Sequence, residues 1–137
     1  MKDLSNRELG RMFEDEFCKR LSEYGLWVLN ITQNRSGQPA DVIATKNGKS
    51  FLIDCKVCTS WGFRLSRVEP NQLFSMTKWR ETGNGEGWFA LKITNAIFML
   101  PFWRVEEAIN ANKSAFSVAE IPSMAIPFER WVSRFCE

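Results

Sequence analysis

The chain has 137 residues, 45% of them hydrophobic and 25% charged, with a formal net charge of +2 and no histidine. That balance suits one globular domain spanning 1–137 with a proper core, and it excludes wholesale disorder. No run approaches the ~18 apolar residues of a membrane span, and the acid-and-base-rich start is not a secretory signal, so a cytoplasmic protein with no membrane partner is expected.

Ser5-Asn6-Arg7-Glu8 has the Ser-x-x-Glu form of a capping box, which satisfies free amides at a helix start. Leu9, Met12, Phe13, Phe17, Leu21 and Tyr24 follow at three- and four-residue steps, predicting a helix over roughly 6–24 that Gly25 ends. Residues 26–31 read as a strand and 34–39 as a polar connection. Two β-prone runs, 42–45 and 50–58, flank Asn47-Gly48, whose residues tolerate the positive φ of a tight hairpin. Residues 59–70 look irregular, 71–80 helical, and 83–87 a loop. Strands are expected at 88–93 and 96–100, hinged at Thr94-Asn95, and a helix at 104–112. The remainder, with Pro122 and Pro127, carries no readable pattern. The order α-β-β-β-α-β-β-α predicts a single α/β domain with a central mixed sheet flanked by helices.

The missing histidine removes histidine-based triads, histidine–metal nucleases and histidine phosphotransfer. Hydrolytic chemistry here would rest on carboxylates, lysine and a hard cation. Cys55-x-x-Cys58 invites a zinc or redox reading, but it lies inside a strand-like run and lacks further ligands at motif spacing. Charge is uneven. Residues 46–80 hold seven basic and two acidic side chains, between mildly acidic flanks. A basic block suits a phosphate-bearing partner, although it is also how a solvated face looks.

Counting outwards from the turn pairs Asp41 with Asp54, directly opposite on one face, with Cβ atoms ~4.5–5.5 Å apart. Lys56, two residues beyond Asp54, points to the same face. Facing carboxylates repel, and Asp54 sits in the apolar run Phe51-Leu52-Ile53-Asp54-Cys55-Lys56-Val57, where a charge needs a partner. A divalent cation relieves the repulsion, since Mg²⁺ takes one or two carboxylates with waters and phosphate oxygens. The plainer alternative is that Lys56 pairs with Asp54 while Asp41 caps its strand.

Pro39-Ala40-Asp41, then Asp54-Cys55-Lys56 on the next arm of the hairpin, resembles the PD-(D/E)XK nuclease signature. More specifically, the chain resembles the RecU-type Holliday junction resolvases of Gram-positive bacteria and their phages. Asn6-Arg7 with Gly10-Arg11-Met12-Phe13-Glu14 is similar to their Asn-Arg-Gly-x-x-Phe-Glu. Phe63-Arg64-Leu65 through Asn71-Gln72 and Met76, and Gly87-Trp88-Phe89 through Phe98-Met99-Leu100, resemble their later segments. The likeness covers roughly residues 6–103. Two features depart from it: Asp54 stands where the family usually has Glu, and only Thr32 to Ala40 fills the place of its long basic insertion.

The resemblance implies a restriction-endonuclease-like fold and a Mg²⁺-dependent endonuclease, with Mn²⁺ as a substitute, acting on branched DNA as a homodimer. Asp41, Asp54, the Cys55 carbonyl and Glu14 would hold the metal, and Lys56 would orient or deprotonate the attacking water. Glu16 rivals Glu14, since a two-residue step turns a helix by ~200° and only one can face the site. Gln72 would contact the phosphate or the water. Arg35, Arg64, Arg67, Lys78 and Arg80, with Lys46 and Lys49 at the hairpin tip, are candidate DNA-backbone contacts. Trp61 and Phe63 are the aromatics placed to stack on a base. Three other readings stay open: a less selective repair or restriction-type nuclease, a non-catalytic DNA-binding protein of the same fold, and a Cys55/Cys58 module.

Overall fold

The computed structural model describes residues 4–31 and 38–137. Helix α1 (Asn6–Glu23) begins where the capping box puts it, with the Ser5 hydroxyl accepting from the Glu8 N–H at 3.1 Å. Phe13, Phe17 and Leu21 form its buried stripe. Leu9, Met12 and Tyr24, read as part of the same stripe, are exposed. Leu9 and Met12 line an open groove with Val57 and Ile93, where the sheet beneath the helix runs out.

Strands β1 (Trp27–Asn30), β2 (Val42–Lys46) and β3 (Lys49–Val57) form an antiparallel meander. The β2–β3 turn has Asn47 at φ 52° and Gly48 at φ 79°, the conformation for which Asn-Gly is suited. From β3 the chain passes through the short strand β4 (Phe63–Arg64), a 3₁₀ turn at Leu65–Arg67 and helix α2 (Pro70–Trp79). It returns as β5 (Trp88–Ile93), parallel to β3, and turns back into the antiparallel β6 (Ala96–Pro101). Helix α3 (Phe102–Asn110), strand β7 (Ala115–Phe116), the short helix α4 (Ile121–Met124), strand β8 (Ile126–Pro127) and helix α5 (Phe128–Phe135) complete the fold. The main sheet runs β1-β2-β3-β5-β6-β8, and β4 pairs with β7 apart from it.

Strict alternation along β3 and β5 supplies both faces of a doubly covered sheet. Phe51, Ile53, Cys55, Trp88 and Ala90 face one core with Phe13, Phe17 and Leu21 of α1 and Phe128, Trp131 and Val132 of α5. Leu52, Phe89 and Leu91 face the other, with Met76 of α2, Phe102 and Val105 of α3, and Phe63 and Phe116. Asp54 belongs to that second face by alternation, which puts a carboxylate among apolar neighbours. Cys55 and Cys58 fall in different cores and are free thiols, each pushed up by burial, Cys58 to about 11. Neither a shared zinc nor a dithiol pair fits that separation. Among the described residues, no helix is long and apolar enough to cross a membrane.

The unreadable C-terminal segment turns out to be core. Pro127 is the residue before α5, so the proline starts a helix and does not break one. Trp131 then packs edge-on against Phe51 and Trp88, with ring centroids 5.1 and 5.8 Å away.

Candidate active site

The hairpin register is the expected one from Lys46–Lys49 down to Val42–Ile53, and there it stops. The Asp41 N–H donates to the Ile53 carbonyl at 3.2 Å, so Asp41 and Val42 both oppose Ile53, in the manner of a β-bulge. Direct pairing of Asp41 with Asp54 is therefore corrected to a bulged approach that swings the Asp41 carboxylate towards β3. Its Oδ2 accepts from the Cys55 N–H at 2.8 Å. In a strand, the N–H and C=O of one residue leave from the same edge. The Cys55 carbonyl thus emerges beside Asp41, past the last paired residue of β2.

Asp54 is fully buried. Its Oδ1 accepts from Gln72 Nε2 at 3.0 Å, and its Oδ2 lies 3.0 Å from Lys56 Nζ. That lysine is the cation that meets the buried carboxylate, at ion-pair distance. Burial pushes the Asp54 carboxyl well above the usual carboxylate range, the Asp41 carboxylate pushes it further, and Lys56 pulls the other way. A single lysine does not compensate two acids, one of them out of water.

Glu14 is raised to about 7, first by burial and then by Asp41, with Lys56 opposing weakly. It is therefore the α1 acid that senses the site. Glu16 points elsewhere, its Oε1 2.6 Å from Lys92 Nζ. Among the described residues, however, no three His, Cys, Asp or Glu side chains gather closely enough to share one ion. The carboxylates that meet are Asp41 and Asp54, and Glu14 stands behind them. Two carboxylates, one of them fully buried, and a strand carbonyl still make a suitable partial shell for Mg²⁺, which keeps waters in its other positions.

Helix α2 grips both acids through its first turn. Gln72 is buried. Its Oε1 accepts from the Glu69 N–H at 3.1 Å, which turns its amide NH₂ towards Asp54. It holds the carboxylate in place. Asn71 Nδ2 donates to the Gln38 carbonyl, and Gln38 Nε2 donates to Asp41 Oδ1 at 3.1 Å. Sequence reasoning missed Gln38 and Asn71, although they adjoin the flagged Asp41 and Gln72 segments.

The model of the archaeal Holliday junction resolvase family, Hjc, matches residues 5–136. The chain belongs to the Hjc family. It is a PD-(D/E)XK-type resolvase, and the family matched is the archaeal one. The 1.6 Å structure of Archaeoglobus fulgidus Hjc, a Holliday junction resolvase from an archaeal hyperthermophile, aligns with a TM-score of 0.67 at 16% identity, over 88% of this chain and 98% of that one. That likeness shows the restriction-endonuclease-like fold. No curated protein matches the chain.

The basic candidates of this Hjc-family chain separate into three groups. Lys46 and Lys49 sit at the far tip of the hairpin, on the order of 20 Å from Asp54 along β3. They donate to the carbonyls of Tyr24 at 2.8 Å and Glu137 at 3.1 Å. Arg80 forms a two-pronged pair with Glu106, at 2.6 and 2.9 Å, and lies over the Phe102 ring. It is a structural cation, not a free one. Arg64, Arg67 and Lys78 are exposed, and Arg67 also donates to the Val57 carbonyl at 2.8 Å, at the end of β3. Arg35 lies outside the described residues. Of the two aromatics singled out, Phe63 is fully buried and Trp61 is 69% exposed.

Proposed function

We propose that the chain is a magnesium-dependent endonuclease that cuts phosphodiester bonds in branched DNA, four-way junctions first, as a homodimer placing two symmetric cuts. Family membership supports the substrate. The observation that carries the chemistry is the convergence of the Asp41 and Asp54 carboxylates beside Lys56, with Asp54 fully buried.

Asp41, Asp54 and the Cys55 carbonyl would hold the ion, with Mn²⁺ able to substitute. When bound, it supplies Lewis-acid polarisation of the phosphate and a water of lowered pKa. The protein's own parts are then defined. Gln72 fixes the Asp54 carboxylate from one side and Gln38 fixes Asp41 from the other. Lys56 presents a cation where negative charge grows on the phosphate. Glu14, near neutrality in its proton affinity, can give or hold a proton at the edge of the site.

The test is to incubate the protein with four-way, flapped and linear duplex DNA, with and without Mg²⁺. Paired symmetric nicks in the junction alone, only with metal, are expected. Cutting of all three substrates would select a less selective nuclease, and binding without cutting a DNA-binding protein.

A further inference from the structure

The turn that follows β3 holds an aromatic ring in water. Trp61 is 69% exposed, whereas Trp88 and Trp131 are buried. The exposure comes from a rigid frame. Thr59 and Gly62 form an isolated antiparallel bridge, the Gly62 N–H donates to the Thr59 carbonyl at 2.9 Å, and the Trp61 N–H meets Thr59 Oγ1 at 3.3 Å. Gly62 takes φ +84°, and a Cβ there would come within 2.0 Å of the Phe116 carbonyl oxygen. The turn is thus seated on β7, and its outermost side chain is held out by the backbone.

Beside the ring, the Arg64 guanidinium stacks 5.6 Å from its centroid. A groove of about 490 Å³ opens between Trp61, Arg64, Ser66, Lys113 and Ser114; among the described residues no acidic side chain lines it, and Lys113 is itself paired with Glu120 at 2.5 Å. The location is as telling as the composition. Trp61 comes five residues after Lys56, no more than ~18 Å of extended chain from it. Arg67 fastens this segment to the Val57 carbonyl, at the site end of β3.

Resting on the nuclease reading above, we propose that Trp61 and Arg64 form a slot for an unpaired nucleobase, taken from the opened branch of a DNA junction next to the cutting centre. A flat ring with the Arg64 guanidinium beside it suits a base face and its phosphate together. In continuous duplex, both faces of every base are covered by neighbours. Only a frayed or branch-point base offers one, so this slot would read branching and not sequence.

The experiment uses four-way junctions carrying 2-aminopurine at the branch point, and linear duplex carrying it internally. Trp61→Ala, Trp61→Phe and native versions are compared in an Asp54→Asn background that leaves the DNA whole. The expected results are a change in 2-aminopurine emission on binding the junction, lost in Trp61→Ala and kept in Trp61→Phe. Junction affinity should fall roughly 5- to 100-fold in Trp61→Ala, with linear duplex affinity unchanged. The same affinity and emission for Trp61→Ala, or an equal loss on linear duplex, overturns the slot while leaving the nuclease reading intact. Failure of the parent protein to bind any junction would remove both.

Discussion

The hairpin of β2 and β3 carries two like charges at each end, and the two ends treat them differently. At the tip, Lys46 and Lys49 are a cross-strand pair, but each ammonium has a backbone carbonyl to donate to, and Lys49 is exposed. In water, such a repulsion is about 1 kcal/mol at 4 Å and is screened by salt. At the root, Asp41 and Asp54 converge with Asp54 wholly out of solvent and Lys56 paired to it at 3.0 Å. The same repulsion there is several times larger, because the surroundings polarise less. The tip keeps its charges in contact with water and polar backbone, whereas the root keeps one of its acids dry, with a carboxyl pushed up and Lys56 against it.

The sharpest way to break that comparison is Asp54→Asn. The amide keeps the shape and removes one of the repelling charges. Cutting of a four-way junction should fall by three orders of magnitude or more, on the order of 4 kcal/mol in the barrier. Junction binding measured by gel shift should persist, and the melting temperature without metal should hold or rise. A variant that cuts at near-native rates would show that the root pair is structural, like the tip pair.

Gln72 tests whether α2 organises the root. Gln72→Ala leaves Asp54 Oδ1 without its donor in a buried position, a loss of ~1–3 kcal/mol in stability. Activity should drop with it, and the required Mg²⁺ concentration should rise. Asn71→Ala acts one step further away, through the Gln38 carbonyl, and should raise that requirement with little change in melting temperature. If both variants titrate with Mg²⁺ like the native chain, the helix does not position the acids.

The hairpin and its acids were legible because a two-residue Asn-Gly turn fixes register by counting. Counting assumes a regular ladder, so the bulge at Asp41 was invisible to it. Alternation also placed Lys56 correctly beside Asp54. The long-range partners were not legible. Nothing local says that Asn71 reaches Gln38, or that the C-terminal carbonyl receives Lys49. The basic block misled in part for the same reason. Arg80 reads as a free cation until Glu106, twenty-six residues on, is folded against it. The helix that carries Trp131 was missed because prolines at 122 and 127 mask an amphipathic stretch that starts immediately after the second.

A smaller effect comes from Glu14. Its carboxyl is raised from 4.5 to about 7, mainly by burial and then by Asp41, so the folded chain binds the proton more tightly than the unfolded one. Folded-state stability from this group is therefore present below pH 4.5 and lost as pH rises towards 7, the reverse of a salt-bridged acid. With metal chelated, urea midpoints for the native chain should decline across that window more steeply than those for Glu14→Gln. Parallel curves for the two would mean that Glu14 is as solvated as an ordinary surface acid.

The smallest effect is expected at the tip, and it is the control for all the others. Lys46→Ala and Lys49→Ala each remove a cation whose only described hydrogen bond is to a carbonyl near the surface. Changes within about 0.5 kcal/mol are usual for such sites. Each single change already removes the cross-strand repulsion, so the double variant should equal or fall slightly short of the stability given by the sum of the single changes. Junction affinity should shift less than twofold, since the tip lies at the opposite end of β3 from the acids. A tenfold fall in affinity for either variant would mean that DNA runs the length of the hairpin, and the division between a structural tip and a working root would have to be redrawn.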